Sequence, residues 1–117
     1  MLKKDDYFFR VAYKKLETES KLSNALRCDL KFNFDSYNEF VFSLYPEFET
    51  LSDEDIVGNE WEAKNEGTAI IRKPIYADSN GYYDMIRERV SVGAKGWLVG
   101  GSHKIAEFEI LEIINSI

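Results

Sequence analysis

Apolar and polar residues alternate along two segments of the chain, Leu26 to Phe34 and Lys104 to Ile114. A period of two places every second side chain on the same face, which is the pattern of a strand with one buried side. Both segments are therefore predicted strands. The side chains expected to face the core are Leu26, Cys28, Leu30, Phe32 and Phe34 in the first segment and Ala106, Phe108 and Ile110 in the second.

The N-terminal segment has a different apolar spacing. From Asp6 to Thr18 the pattern fits an amphipathic helix, and Asp5 and Asp6 suit its first turn, where backbone amides are unpaired. The apolar face of this helix follows the i, i+3, i+4, i+7 spacing and consists of Phe8, Phe9, Ala12 and Leu16.

The middle of the chain is harder to assign. Residues 36–45 fit either a helix or a strand, and we favour the helix because Ser36 and Glu39 form a capping box and Pro46 supplies a stop. Glu47 to Gly67 is expected to be a long acidic connection, with a short helical turn starting at Ser52.

The second half is expected to consist of strands. Thr68 to Ala77 and Trp97 to Val99 are predicted strands, and Asp78 to Gly81 is a strong turn signal. Tyr82 to Val92 is expected to return as a strand, although Met85 to Val90 also fits a helical turn. The prediction is an α+β fold in which an N-terminal amphipathic helix packs on an antiparallel, mostly meander β-sheet.

Composition narrows the class of protein. The 117 residues fit a single domain spanning 1–117, with 44% hydrophobic residues and only one cysteine. The chain lacks an apolar run long enough to span a bilayer, and no apolar region follows Lys3 and Lys4 as in a signal peptide. We therefore expect a cytoplasmic protein with no membrane partner. Its net charge of −6 disfavours direct nucleic-acid binding.

Charge is concentrated between Asp29 and Glu62, where ten acidic residues stand against the single base Lys31. The same segment holds eight aromatic residues, among them Trp61. Acids combined with large rings can form a surface that meets a basic protein partner. The residues predicted to contact such a partner are Glu47, Glu49, Asp53, Glu54, Asp55, Glu60, Trp61 and Glu62.

The leading hypothesis is a non-catalytic protein that masks a basic partner, as an immunity protein, an antitoxin or a phage-borne inhibitor does. The partner would be a nucleic-acid-processing enzyme such as a toxin nuclease. Its positive cleft would take carboxylates in place of phosphates. The charge pattern does not name the partner.

Two alternatives stay open. A structural or assembly subunit would form homo-oligomers through an exposed edge of the strand from Lys104 to Ile114. A small enzyme would use Cys28 or His103, the only residues of their kinds.

No nucleophile elbow or zinc-protease motif is present, and no cofactor is implied. Asp53 to Asp55 with Gly58 fails the calcium-loop template, because its fifth and twelfth positions hold Val57 and Lys64.

Overall fold

The computed structural model describes residues 4–17, 21–24, 28–32, 42–74, 81–100 and 103–117, and this part of the chain is mostly β-structure. A 3-10 helix covers Lys4–Asp6, and an α-helix, α1, covers Tyr82–Arg89. The strands, in chain order, are β1 (Tyr7–Lys15), β2 (Asp29–Phe32), β3 (Pro46–Phe48), β4 (Leu51–Val57), β5 (Glu60–Ala63), β6 (Glu66–Arg72), β7 (Lys95–Gly100) and β8 (His103–Ile113).

The predicted N-terminal helix is wrong, because Tyr7–Lys15 forms strand β1. Phe9, Val11 and Tyr13 alternate toward the core, whereas Leu16 of the predicted apolar face is 46% exposed. The register of β1 shifts between Tyr7 and Phe9 against β6, and again between Arg10 and Val11 against β8. These irregularities break the period of two, and the buried pair Phe8 and Phe9 then resembles one side of a helix.

The predicted antiparallel sheet is present, but it is not a meander. Six strands pair in the order β2-β7-β8-β1-β6-β3, and every described pairing is antiparallel. Only β7 and β8 are neighbours both in this sheet and in sequence. β1 occupies the interior of the sheet between β6 and β8, so the α+β layering of a helix on a sheet is replaced by a curled sheet.

The core lies on the inner side of this curled sheet. The predicted inward positions of β8 are confirmed, since Ala106, Phe108 and Ile110 are at most 3% exposed, and the intervening Glu107 and Glu109 are exposed. The strand prediction for Asp29–Phe32 is also confirmed, with Leu30 and Phe32 fully buried. Residues 25–27 and 33–41, which carry the rest of that predicted strand and most of the ambiguous segment 36–45, lie outside the described residues.

The segment from Phe42 to Phe48 reaches both edges of the six-stranded sheet. At one end, Phe42 and Leu30 exchange two backbone hydrogen bonds, of 2.9 and 2.8 Å. At the other end, Pro46 begins β3, which pairs with β6. Pro46 was expected to stop a helix, but it is tolerated as the first residue of an edge strand because it needs no ladder donor there. This segment brings the two edges of the sheet together.

The predicted acidic connection from Glu47 to Gly67 is wrong, because the segment contains the end of β3, the whole of β4 and β5, and the start of β6. β4 and β5 form a separate two-stranded ribbon, called here the acidic hairpin (Leu51–Ala63). The helical turn expected at Ser52 is likewise replaced by strand. Sequence alternation fails here because most side chains of β4 are exposed, so no regular buried face exists to be detected.

The strand expected from Tyr82 to Val92 is also wrong, and the alternative helical interpretation is closer. α1 begins after Gly81, whose positive φ of 73° suits a glycine, and it buries Ile86 against the core. Asp84 and Arg87 form an i, i+3 ion pair at 2.6 Å on its exposed side. Across the described ranges, no helix combines the length and apolarity needed to cross a bilayer.

Gly96 of β7 provides a test of this sheet. A Cβ at this position would overlap the main-chain oxygen of Lys31 in β2 and would come within 2.9 Å of the Phe108 ring. We expect Gly96→Ala to lower the free energy of unfolding by about 1–3 kcal/mol, measured by urea denaturation, because two packed neighbours must move.

Gly100→Ala is the matched control on the same strand, since its Cβ would meet only the flexible end of Ile105. Equal stability losses in the two variants would contradict the pairing of β2 with β7 at Gly96.

Candidate protein-binding surface

The acidic hairpin turns at Gly58 and Asn59, which both have positive φ, of 60° and 72°. Positive φ at both central residues defines the type I′ turn that favours two-residue hairpins. Val57 pairs with Glu60 directly across this turn, and Ile56 pairs with Trp61 one step further from it. A Gly-Asn dipeptide between two apolar islands was the sequence signal that could have predicted this hairpin.

A wide bulge carries the three consecutive acids of the hairpin. Between the pairs Leu51–Ala63 and Ile56–Trp61, four residues of β4 stand opposite the single residue Glu62 of β5. The Ser52 hydroxyl accepts hydrogen bonds from the amides of Glu54 and Asp55, both at 3.1 Å. The bulge interrupts the cross-strand hydrogen bonds, and the Ser52 hydroxyl accepts from two of the backbone amides in the bulge. A serine at a helix N-terminus bonds free amides in the same way.

The structure brings five of the eight predicted contact residues together on the hairpin as exposed side chains: Asp53, Glu54, Asp55, Glu60 and Trp61. Trp61 is 44% exposed, and its cross-strand partner Ile56 is 63% exposed. Ile56 was not among the predicted contact residues.

The other three predicted residues lie in different surroundings. Glu49 directly follows β3, and both of its carboxylate oxygens accept hydrogen bonds from the Arg10 guanidinium, at 2.9 and 3.2 Å. The bond to Glu49 raises the pKa of Arg10 above its ordinary value. Arg10 also pairs with Glu112. Glu47 is half-buried on β3, opposite Ile70 of β6. Glu49 therefore already has a basic partner within the molecule.

Glu62 has a structural position at the base of the hairpin. Its carboxylate lies 3.4 Å from Nζ of Lys15, whose side chain is fully buried, and 3.6 Å from Nζ of Lys21. Since Glu62 itself is only 9% exposed, it can offer a partner little surface. Its ion pair with Lys15 instead joins the hairpin to the end of β1.

Two further contacts hold the hairpin, one at its base and one beside its turn. The Tyr13 hydroxyl donates to the Lys64 carbonyl at 2.7 Å, and burial raises the pKa of Tyr13 to about 12. The Ser23 hydroxyl donates to the Val57 carbonyl at 2.7 Å, and Ser23 also pairs with Glu62 through the backbone. These contacts hold one side of the hairpin against the body, so the Ile56–Trp61 side is left to solvent.

A surface groove lies elsewhere among the described residues. It has a volume of about 590 Å³ and crosses the outer side of β6, β1, β8 and β7. Bases and acids are mixed along its walls, and none of the predicted contact residues lines it; the charged ones are Lys14, Glu66, Lys95, Glu107 and Glu109. Because this groove lacks the charge bias of the hairpin, we do not assign the basic partner to it.

The position of Cys28 gives no support to its predicted use in catalysis. This residue is 4% exposed, and burial raises the pKa of its thiol to about 12, with a further contribution from the charge of Asp29. The thiol is therefore protonated at neutral pH and is a poor nucleophile. His103 is exposed at the start of β8. In the described part of the chain, no three His, Cys, Asp or Glu side chains are placed to hold a metal ion together.

Comparison with known families, with curated proteins and with solved structures finds no match to this chain.

The pair of Lys15 and Glu62 can be tested through stability. We expect Glu62→Ala to lower the free energy of unfolding by about 3–5 kcal/mol, because it leaves the Lys15 ammonium buried without its carboxylate. Urea denaturation measures this change. The double variant Lys15→Met/Glu62→Leu removes both charges and should recover most of the lost stability. A single variant as stable as the native protein would show that this pair does not hold the hairpin.

The buried Cys28 predicts a pH dependence. Its pKa is raised from 9.0 to about 12 in the folded protein, so the unfolded chain loses this proton more readily. The contribution of this thiol to the free energy of unfolding is fully present below pH 9 and is lost as the pH rises toward 12. Cys28→Ala should therefore show a shallower alkaline loss of stability than the native protein, measured by denaturant titrations across this range. Parallel losses in the two proteins would contradict the prediction, because Tyr13, which shifts in the same direction, is present in both.

Proposed function

We propose that this protein is a non-catalytic binding protein whose acidic hairpin docks on the basic surface of a protein partner. The observation that carries the proposal is the exposed hairpin itself. It presents Asp53, Glu54, Asp55 and Glu60 beside the exposed pair of Ile56 and Trp61.

The charge of the hairpin supports a partner rather than an internal role. Within the described residues, none of the carboxylates of Asp53, Glu54, Asp55 and Glu60 pairs with a basic side chain. By contrast, Glu49 and Glu62 do have basic partners within the fold. Four neighbouring carboxylates without a counter-charge from the described residues create a local negative potential, and such a potential accelerates encounter with a positive surface.

The apolar pair gives the same surface a means of holding its partner. Interfaces combine a desolvated aromatic or aliphatic centre with a polar rim, and tryptophan is enriched among the residues that contribute most binding energy. Trp61 and Ile56 supply such a centre, and the acids around them supply the rim. The charges would increase the rate of association, while burial of the ring would slow dissociation.

The class of partner follows from the same chemistry. Enzymes that process nucleic acids carry positive clefts because they must bind phosphates. A projecting acidic ribbon can occupy such a cleft in place of the phosphates, in the manner of an immunity protein or a phage-borne inhibitor. The proposal places the protein in the cytoplasm, where it would protect its host from a nuclease or divert a host enzyme.

The assembly alternative has weaker support. It requires an exposed edge along Lys104 to Ile114, but β8 pairs with β7 on one side and with β1 on the other. Strand addition at β8 would have to break existing pairing. An oligomer built through another surface stays untested.

The proposal predicts capture of a specific partner. The tagged protein and the variant Asp53→Lys/Glu54→Lys/Asp55→Lys are used to pull down proteins from the native host at low and high salt. We expect one stoichiometric basic protein to co-elute with the native chain at low salt. The triple variant should lose it, since reversed charges repel a basic surface.

The matched control is Asp5→Lys/Glu88→Lys/Glu107→Lys, which changes the net charge equally at exposed acids outside the hairpin. It should retain the partner. Loss of the partner in both variants would reduce the effect to overall charge, and capture of the partner by the hairpin variant would refute the proposed surface. Far-UV circular dichroism checks that each variant is folded.

A further inference from the structure

The groove on the outer side of β6, β1, β8 and β7, called here the outer groove, carries charges in a regular order. Glu66 of β6 pairs with Lys14 of β1, and Lys14 pairs in turn with Glu107 of β8. Glu107 pairs with Trp97 of β7, and the Lys104 ammonium lies 3.7 Å from the centre of the Trp97 ring. This row across four neighbouring strands, called here the charged row, is therefore negative, positive, negative and positive in turn.

Three charges of this row have no ion-pair partner in the described part of the chain. Glu66, Lys14 and Glu107 are exposed, and none of them forms an ion pair with another described residue. Opposite charges on facing residues of neighbouring strands can pair within one sheet, as Lys95 and Glu109 do at 3.8 Å. The three unpaired charges are available instead to groups that lie above the sheet.

The order of charges in the row is self-complementary. A two-fold axis above the outer side of the sheet, parallel to the strands and centred between β1 and β8, places a second copy with its strand order reversed. Lys14 of each copy then faces Glu107 of the other. Glu66 of each copy faces the ammonium of Lys104. Every charge of the row thus meets one of opposite sign, and complementarity of this kind fixes the register of an interface.

The next row of the groove is complementary in size. It consists of the small residues Thr68 and Ala12 on β6 and β1, followed by the paired Glu109 and Lys95 on β8 and β7. The same two-fold axis sets the long side chains of Glu109 and Lys95 over Ala12 and Thr68 of the other copy. Since Ala12 lines the groove, which has a volume of about 590 Å³, its small side chain leaves room for them.

The alternation of charge also selects the kind of partner. A surface with a single sign of charge meets repulsion at every second position of the charged row, so neither a basic protein nor an acidic one fits it. A second copy of this chain supplies the inverse order of charges by symmetry alone.

We propose that the outer groove is the interface of a symmetric dimer in which the charged rows of two copies face each other. The face is only four strands wide, and exposed ion pairs add little affinity. We therefore expect a weak, reversible dimer with a dissociation constant on the order of 100 μM, as for interfaces at the small end of the range. The acidic hairpin contributes no residue to this groove, so the interface does not cover it.

Sedimentation equilibrium of the full-length protein, from about 10 μM to about 1 mM, tests the dimer. We expect a monomer–dimer equilibrium that shifts toward monomer as salt is added, because screening weakens pairing between exposed charges. Lys14→Glu and Glu107→Lys should each raise the dissociation constant about tenfold or more, since like charges then face each other across the axis.

An equimolar mixture of these two single variants separates this interface from any other. In the mixed dimer each position of the charged row again meets the opposite sign, so a heterodimer should form at least as tightly as the native dimer. The double variant Lys14→Glu/Glu107→Lys exchanges the two charges and should restore the homodimer. Glu88→Lys is the matched control, because Glu88 is exposed on α1 outside the groove, and it should dimerise as the native protein does.

A native protein that stays monomeric up to about 1 mM would overturn the inference. So would a native dimer that both single variants retain, or a mixture of the two folded variants that forms no heterodimer. Equal weakening by Glu88→Lys and Glu107→Lys would assign the effect to overall charge and reject the groove as the interface. Far-UV circular dichroism checks the fold of each variant.

Discussion

Strand β1 joins the two halves of the sheet, and the rest of the fold depends on its pairing on both sides. β6 and β3 lie on one side of it, and β8, β7 and β2 lie on the other. Its inward side chains Phe9, Val11 and Tyr13 are at most 3% exposed, so the same strand supplies the middle of the core. Without β1 each half would expose an unpaired edge and an apolar face, neither of which is stable alone in water.

The binding surface is tied to this central strand. Lys15 ends β1 with a buried ammonium next to Glu62, and Tyr13 bonds the carbonyl of Lys64 just beyond β5. One side of the acidic hairpin is thus bonded to the body, and the other side carries the exposed pair of Ile56 and Trp61. The division follows from the alternation of strand side chains, because the anchoring Glu62 and the exposed Trp61 are neighbours on β5 and point to opposite sides.

Regular alternation made β2 and β8 predictable from sequence, because Leu30 and Phe32 in β2 and Ala106, Phe108 and Ile110 in β8 are buried at every second position. β1 was mistaken for a helix because its register shifts place Phe8 and Phe9 together in the core. The local charge of the hairpin was visible in the sequence, and five of the predicted contact residues do lie together. What sequence could not supply was the pairing of Glu49 with Arg10 and of Glu62 with Lys15, since each pair is separated by about forty residues or more. Such pairs follow only from the sheet order.

The distance along the chain between β1 and β8 has a consequence for synthesis. Phe9 pairs with Ile113, so β1 leaves the ribosome on the order of 10 s before its neighbour β8 exists. During that interval the segment Tyr7–Lys15 must stay unpaired on one side, where a chaperone could bind its aromatic residues. The acidic hairpin and the residues that hold it, Tyr13, Lys15 and Ser23, all precede β7 and β8 in the chain, so the hairpin can form earlier. The nascent chain would thus carry a formed acidic ribbon before it has a closed core.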